Sequence, residues 1–296
     1  MIYGAKQVIR YLLGNDIAGR SLAVYPDDTF IVSYPRSGNT WTRFLIANLI
    51  HPEQAVTFAN IEELIPDCEA QSSRYLKRVP RPRVIKSHEY FDHRYRRVVY
   101  IVRDPRDVVL SYYDFQRKYR QIQDGYPLAQ YVRDFVGGNI GSADWGTWGE
   151  NVGSWIGTRL GKTGFLLLRY EDMMAEPERA LVKIAALFGI ETETQLLATV
   201  VERSSAQRMR DLERSQGGEW VSTKNKRQDI PFIRSASPGG WKTQLPEVSV
   251  AEIESAWGPL MTRLGYGLIT TPGDGSARTQ TGGEETVYKP SNSGLR

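Results

Sequence analysis

The chain has 296 residues, of which 41% are hydrophobic and 24% are charged, and its net charge is +4. This length and composition favour one large α/β domain with a substantial core. The single cysteine, Cys68, excludes an intrachain disulfide, which is typical of a reducing compartment. No apolar run approaches the ~20 residues of a membrane span, and residues 1–20 lack the apolar block of a secretion signal. We therefore expect a cytoplasmic protein without a transmembrane segment.

The first half of the chain predicts an alternation of strands and helices. The strands are short apolar runs rich in β-branched residues, and the helices have apolar residues at every third or fourth position. Asp104 is a suitable N-cap, and Pro105 suits the helical turn that follows it. In chain order, the predicted elements are a helix at 4–14, a strand at 30–34, helices from about 40 to 50 and at 60–65, strands at 84–86 and 97–103, and a helix at 105–120.

The second half of the chain predicts mainly helices. In chain order, these elements are helices at 126–136 and 145–159, a strand at 164–168, and helices at 177–188 and 249–264. The periodic pattern breaks down after Ala206, and residues 214–240 are rich in Gly, Ser, Pro and charge, which predicts a functional or mobile loop. Residues 271–296 have almost no apolar content and predict a disordered tail, so that a single domain would span residues 1–270.

This alternation indicates an α/β fold with a P-loop-like central, mostly parallel sheet and helices on both faces. In such sheets a ligand binds beyond the carboxyl ends of the strands. Three polar clusters fall there: Arg36–Thr40, Lys86–His88, and Arg103 with the helix that follows it. Their shared position in the topology predicts one functional site.

The Arg36–Thr40 cluster lies between a strand and a helix, where backbone N–H groups and the helix dipole attract an anion. Gly38 permits the tight turn, and Ser37 and Thr40 add hydroxyl donors. The loop retains part of the pattern G-x-x-x-x-G-K-[ST] but lacks its first glycine and its lysine, which argues against hydrolysis of ATP or GTP. The alternative function of Ser37 and Thr40 is turn formation and helix capping.

Basic residues outnumber acidic ones from Arg74 to Arg103 and again from Arg208 to Arg234. Such stretches are either solvated faces or parts of a pocket for a polyanionic ligand. No aromatic RNA-binding motif, zinc-finger spacing or heptad repeat accompanies the charge, so a nucleic-acid partner is not expected.

Five blocks of the sequence resemble the cytosolic-type sulfotransferases, which use 3′-phosphoadenosine 5′-phosphosulfate (PAPS) as sulfuryl donor. In the order of that family, the blocks are Ser33–Trp41, Val84–His88, Arg103–Tyr113, Leu168–Asp172, and Phe232–Arg234 with Gly239–Lys242. One block alone would be a weak signal, but five in register are specific. The resemblance covers residues 30 to about 265 and implies a PAPS-dependent sulfotransferase without a metal ion, whose product is adenosine 3′,5′-bisphosphate (PAP).

The resemblance also implies which residues bind the donor nucleotide. The residues implied at the 5′-phosphosulfate are Arg36, Ser37, Gly38, Asn39 and Thr40. Arg103 and Ser111 would bind the 3′-phosphate, with Arg234 as a further ligand, and Trp41 and Tyr170 would contact the adenine. From the residues alone, Arg103 could instead form a salt bridge to Asp104 or Asp107. Core packing is at least as good an account of the two aromatic residues.

The residues implied in catalysis are His88, Lys86 and Arg36. His88 is the expected general base because the unperturbed pKa of histidine lies near neutrality. Lys86 would stabilise developing charge or position the base. Arg36 stands where cytosolic members usually carry lysine, and it would stabilise the leaving oxygens by a planar, bidentate contact. Further departures are Ser235 and Ala236 in the late loop, and Pro246–Glu247 in place of the dimerisation signature, so the oligomeric state is open.

The acceptor is the least defined part of this prediction. A hydroxyl, or an amine, of a small molecule, a lipid or a glycan is compatible with the sequence. The stretches expected to form its pocket are 52–82, 120–160 and 213–233, and the aromatic candidates for its wall are Tyr90, Phe91, Tyr131, Trp145 and Trp148. The alternative functions are a metal-dependent P-loop kinase, and a non-catalytic nucleotide- or RNA-binding protein.

Overall fold

The computed structural model describes residues 16–140, 145–218, 220, 222–233 and 237–270. Four parallel strands form its central sheet in the order β2-β1-β3-β4: β1 Thr29–Ser33, β2 Val84–Ser87, β3 Arg97–Val102 and β4 Phe165–Arg169. Each strand begins or ends within one residue of its predicted bounds. The predicted α/β fold with a parallel sheet is confirmed.

Twelve helices surround the sheet in the described part of the chain. They are α1 Asn39–Ile50, α2 Ile61–Leu64, α3 Ser73–Leu76, α4 Pro105–Lys118, α5 Leu128–Val136, α6 Trp148–Arg159, α7 Tyr170–Ala175, α8 Pro177–Phe188, α9 Thr194–Arg203, α10 Ala206–Gln216, α11 Trp241–Gln244 and α12 Glu247–Arg263. Within the described residues, none of them combines the length and the apolar character needed to cross a membrane.

The sheet is covered on both faces because successive side chains of a strand point to opposite sides. In β1, Phe30 and Val32 belong to one apolar cluster, and Ile31 belongs to the other. The first cluster takes residues from α4, α5, α6 and α12, and the second takes residues from α1, α8, α9 and α10. Because both faces are buried, β1 and β3 read as continuous apolar runs rather than alternating ones.

The sequence analysis did not predict α3, α7, α9 and α11, and two of its predictions were wrong. The periodic pattern does not end at Ala206, since α10 extends from there to Gln216. This helix is difficult to recognise because only Met209 and Leu212 of its eleven residues are buried. The predicted helix at 145–159 begins at Trp148, because Thr147 forms a capping box with Glu150. The predicted helix at 4–14 and the predicted tail at 271–296 lie outside the described residues.

Candidate active site

The loop between β1 and α1 has the geometry of an anion cradle. Gly38 is the N-cap of α1 with φ +100°, and Arg36 has φ +68°. A Cβ at Gly38 would lie 2.5 Å from Cδ2 of Tyr170, so that only glycine allows this close approach. Ser37 Oγ is buried without a hydrogen-bond partner among the described residues, and so is Asn39 Oδ1. A buried donor such as the Ser37 hydroxyl is costly to leave unpaired, which indicates that a ligand completes the loop.

Arg36 connects this loop with two distant parts of the chain. Its Nε donates to Ser111 Oγ on α4 over 3.1 Å, and its Nη2 donates to the carbonyl oxygen of Phe232 over 2.9 Å. The guanidinium also lies 4.5 Å from the ring centre of Phe232 and 5.0 Å from that of Phe115. The structure thus places Arg36 and Ser111 in direct contact.

Arg103 lies at the end of β3, beside the same loop. Its Nη1 donates to the carbonyl oxygen of Arg36 over 3.2 Å, and its guanidinium lies 4.5 Å from the ring centre of Tyr170. Arg103 Nε is buried and has no hydrogen-bond partner among the described residues. Asp104 pairs instead with Arg106 at 2.7 Å. This arrangement favours an anionic ligand for Arg103 over the alternative of a salt bridge to its neighbour.

Trp41 and Tyr170 form one side of the cavity above this loop. Their rings meet edge to face with centres 5.8 Å apart, and Trp41 Nε1 donates to the carbonyl oxygen of Ser204 over 2.9 Å. Tyr170 is buried, and Trp41 is partly exposed. Both rings line the cavity, as an adenine contact would require.

His88 is the first residue after β2 and lies beside the carboxyl end of β1. Its Nδ1 is 2.7 Å from the carbonyl oxygen of Ser33, so Nδ1 carries the proton and donates it in this bond. The lone pair of Nε2 is then available to accept a proton. Burial, followed by the charge of Lys86, lowers the pKa of His88 to about 3, which keeps the imidazole neutral in the folded protein at physiological pH.

Two carboxylates pair with Lys86, the lysine near this histidine. Its Nζ pairs with Asp67 Oδ2 at 2.9 Å and with the carboxylate of Glu69. Burial acts to lower the pKa of Lys86, but the two carboxylates outweigh it and raise that pKa above its ordinary value. The ammonium is therefore permanently charged and held by two acids, which the sequence did not predict.

All these groups meet in one cavity of about 830 Å³. The predicted site residues that line it are Arg36, Gly38, Asn39, Thr40, Trp41, Lys86, His88, Arg103, Ser111 and Tyr170. Ser37 belongs to the same loop but is fully buried, and Arg234 lies outside the described residues. No group of three or more metal-binding side chains occurs in the described ranges.

The far wall of the cavity is aromatic, but it is not the wall that the sequence suggested. Of the five aromatic candidates, Trp145 alone lines the cavity. Tyr131 and Trp148 are fully buried in the core, Phe91 packs on Trp155, and Tyr90 lies against Arg20. Several lining residues were not singled out from the sequence. They include Tyr112, Phe115 and Tyr119, and also Asp67, Glu69 and Phe232, which fall in the stretches expected to form the acceptor pocket. Helical spacing from Ser111 could have found Phe115, four residues on, and Tyr119, the C-cap of α4 four residues further, but it could not have found Tyr112.

Residues 26–265 match the sulfotransferase domain family. The chain belongs to this family. Mouse sulfotransferase 1A1 is 25% identical over 262 residues, which cover 82% of this chain and 87% of that one. Rat sulfotransferase 2B1 is 26% identical over 280 residues, which cover 91% and 80%. The predicted family and enzyme class, a PAPS-dependent sulfotransferase, are confirmed.

Solved sulfotransferase structures have the same fold. Mouse sulfotransferase SULT7A1 complexed with PAP superposes with a TM-score of 0.66 at 21% identity, over 82% of this chain and 87% of that chain. A retinol dehydratase in complex with androsterone and inactive cofactor PAP gives a TM-score of 0.68 at 18% identity, over 82% and 83%. These likenesses support the central parallel sheet and its surrounding helices.

Proposed function

We propose that this sulfotransferase transfers the sulfuryl group of PAPS to a hydroxyl, or an amine, of a small-molecule acceptor, with His88 as the general base. The observation that carries this proposal is the hydrogen bond from His88 Nδ1 to the carbonyl oxygen of Ser33. That bond selects the tautomer whose Nε2 can take a proton, in a cavity that also contains Arg36 and Arg103.

The residues around the cavity fit a nucleotide with two separate anionic groups. Backbone N–H groups at the start of α1, with Ser37 and Thr40, would hold the 5′-phosphosulfate. Arg103 and Ser111 would hold the 3′-phosphate. Two buried donors that have no partner among the described residues support this arrangement, namely the Ser37 hydroxyl and Arg103 Nε. Arg234 as a further 3′-phosphate ligand stays a prediction.

The transfer proceeds by in-line displacement at sulfur. As the acceptor oxygen forms its bond to sulfur, His88 Nε2 takes the acceptor proton. The bond from sulfur to the bridging oxygen breaks, and PAP leaves with the electron pair of that bond. Arg36 would stabilise the charge that develops on the leaving oxygens. Because guanidinium is always protonated at neutral pH, Arg36 acts by charge and hydrogen bonding, not as an acid.

The cavity wall indicates the acceptor class. Tyr112 and Phe115 on α4, and Tyr119 directly after it, line the cavity together with Trp145 and Phe232. Such a wall offers apolar area and ring faces to a flat molecule. We therefore propose an apolar alcohol or phenol as acceptor, and we include lipid and glycan hydroxyls in the test.

The test combines nucleotide binding with turnover. Wild-type protein should be stabilised against heating by PAP without magnesium, and should transfer label from PAPS to members of an acceptor panel. His88→Ala should lose turnover by at least about 100-fold while its thermal shift with PAP stays unchanged. His93→Ala is the matched control because the His93 side chain is 87% exposed. Retained turnover in His88→Ala would refute the base assignment.

Two further predictions accompany this function. A cytoplasmic location stays a prediction that fractionation of expressing cells can check. A single domain over residues 1–270 also stays a prediction, and removal of residues 271–296 should leave turnover unchanged if it is correct.

A further inference from the structure

One carboxylate holds the three residues at the end of β2. Glu69 Oε1 accepts a hydrogen bond from the backbone N–H of His88 and a second one, over 3.2 Å, from Ser87 Oγ. Glu69 Oε2 accepts from Lys86 Nζ. Ser87 Oγ in turn accepts from the backbone N–H of Glu89 over 3.0 Å, so Glu69 is linked to four successive residues, Lys86 to Glu89.

Glu69 accepts a hydrogen bond from the His88 backbone N–H, which lies just beyond the last residue of β2 that pairs with β1. β2 pairs with β1 only as far as Ser87, and on its other side Asp67 pairs with Lys86 as an isolated bridge. The backbone N–H of His88 is thus the first donor beyond the ladder. A donor in such a half-buried position needs a partner, and Glu69 supplies it.

Two other contacts complete the attachment of His88. Asn151 Nδ2, on α6, donates to the His88 carbonyl oxygen over 2.9 Å, and the Tyr100 hydroxyl orients the Asn151 amide over 2.9 Å. The imidazole is held by the carbonyl oxygen of Ser33. The main chain of His88 is therefore fixed on both sides, by Glu69 at its N–H and by Asn151 at its carbonyl.

The same carboxylate also pairs with the cation whose charge acts on the imidazole. Lys86 is two residues from His88, and its positive charge opposes a protonated His88. Glu69 and Asp67 hold the ammonium between them, and the Glu69 backbone N–H fixes Asp67 Oδ1 over 2.8 Å. The imidazolium that forms when the base takes a proton is thereby spared part of this repulsion.

We propose that Glu69 is a positioning residue for the base: it fixes the main chain of His88 and restrains Lys86 with the same carboxylate. This inference rests on His88 as the proposed base. Asp67 is its natural comparison, because both acids pair with Lys86 but only Glu69 binds the His88 N–H.

The experiment compares Glu69→Ala, Glu69→Gln and Asp67→Ala in the full-length protein. Glu69→Ala should lower kcat by about 100-fold, since a small displacement of a reacting group has an effect of this size. The KM for PAPS and the thermal shift with PAP should not change. The kcat of Glu69→Gln should be about tenfold higher than that of Glu69→Ala, because the amide oxygen can still accept a hydrogen bond from the His88 N–H. Asp67→Ala should lose no more than about tenfold, since it leaves that bond intact.

A spectroscopic measurement separates positioning from general stabilisation. The chain has three histidines, so selective ¹⁵N labelling gives few signals, and His88→Asn identifies those of His88. In wild-type protein we expect the tautomer protonated at Nδ1. In Glu69→Ala that tautomer should lose population, whereas Asp67→Ala should retain it.

The possible outcomes distinguish this inference from the proposed function. Equal losses of kcat in Glu69→Ala and Asp67→Ala, with an unchanged tautomer, would overturn the positioning role while wild-type turnover stands. A parallel loss of PAP binding in Glu69→Ala would also overturn it, because the role would then be general stability. A different result would refute the proposed function: His88→Ala would then retain full turnover.

Discussion

Arg36 Nε donates a hydrogen bond to Ser111 Oγ over 3.1 Å, although the two residues are 75 positions apart in the chain. Arg36 belongs to the loop after β1, and Ser111 is in the second turn of α4. The sequence assigned Arg36 to the 5′-phosphosulfate and Ser111 to the 3′-phosphate. Their contact shows that the two predicted anion sites are adjacent and share one cavity.

The first prediction concerns the planar shape of Arg36. Its guanidinium bonds Ser111 Oγ and the Phe232 carbonyl oxygen at the same time, which an ammonium on a flexible stem reproduces poorly. Arg36→Lys should therefore be nearly as slow as Arg36→Ala, with kcat reduced about 100-fold in both. Arg120→Lys is the control, because Arg120 also has positive φ (56°) and is exposed. Full activity of Arg36→Lys would show that charge alone is sufficient.

The second prediction concerns the 3′-phosphate. Arg103→Ala should weaken PAP binding by about 10- to 100-fold, because a hydrogen bond to a charged group contributes roughly 1.5–3 kcal/mol. Calorimetry with PAP measures this change directly. Exposed Arg96 is the control at the other end of β3, and Arg96→Ala should bind PAP normally. Equal affinities for the two variants would remove Arg103 from the nucleotide site.

The third prediction separates steric clash from backbone strain. Gly38 and Gly189 both have positive φ, at +100° and +71°, but only Gly38 has a neighbour within 4 Å of a built Cβ. Gly189→Ala should cost about 1 kcal/mol of unfolding free energy. Gly38→Ala should cost more and should also weaken PAP binding, since Tyr170 must move away from the loop. Urea unfolding and calorimetry measure the two effects, and identical behaviour of both variants would contradict the prediction.

The fourth prediction follows from the pKa of His88, which burial and Lys86 lower from 6.5 to about 3. Between those values the unfolded chain binds a proton that the folded protein excludes, so this group makes stability decrease as pH falls from 6.5 towards 3. The slope is at most about 1.4 kcal/mol per pH unit. His88→Gln should reduce this slope between pH 6.5 and 5, as measured by urea unfolding.

The low pKa of His88 also predicts how kcat/KM depends on pH below neutrality. The base should remain neutral throughout the range from pH 7.5 to 5.5, so kcat/KM should show no decline with an apparent pKa near 6.5. The pKa shift would be contradicted if kcat/KM of the wild-type protein fell with an apparent pKa near 6.5 and kcat/KM of a variant with residual activity did not.

Local patterns in the sequence were sufficient for the strands, the loop at Gly38 and the family. Short runs rich in β-branched residues, such as Val98–Val102, favour a buried strand, and a small polar loop before a helix is suited to an anion. The motif residues that lie beyond the strand ends were therefore predictable, and the structure gathers those that it describes around one cavity.

Contacts between distant segments were decided only by the tertiary structure. Glu69 is 19 positions from the His88 it binds, and Arg36 is 196 positions from Phe232. No local periodicity encodes such pairs, because they depend on how the sheet brings separate loops to one edge. The same reason explains why Trp148 and Tyr131 proved to be core residues while Tyr119 faces the cavity. An aromatic side chain is suited to both places, and only packing selects between them.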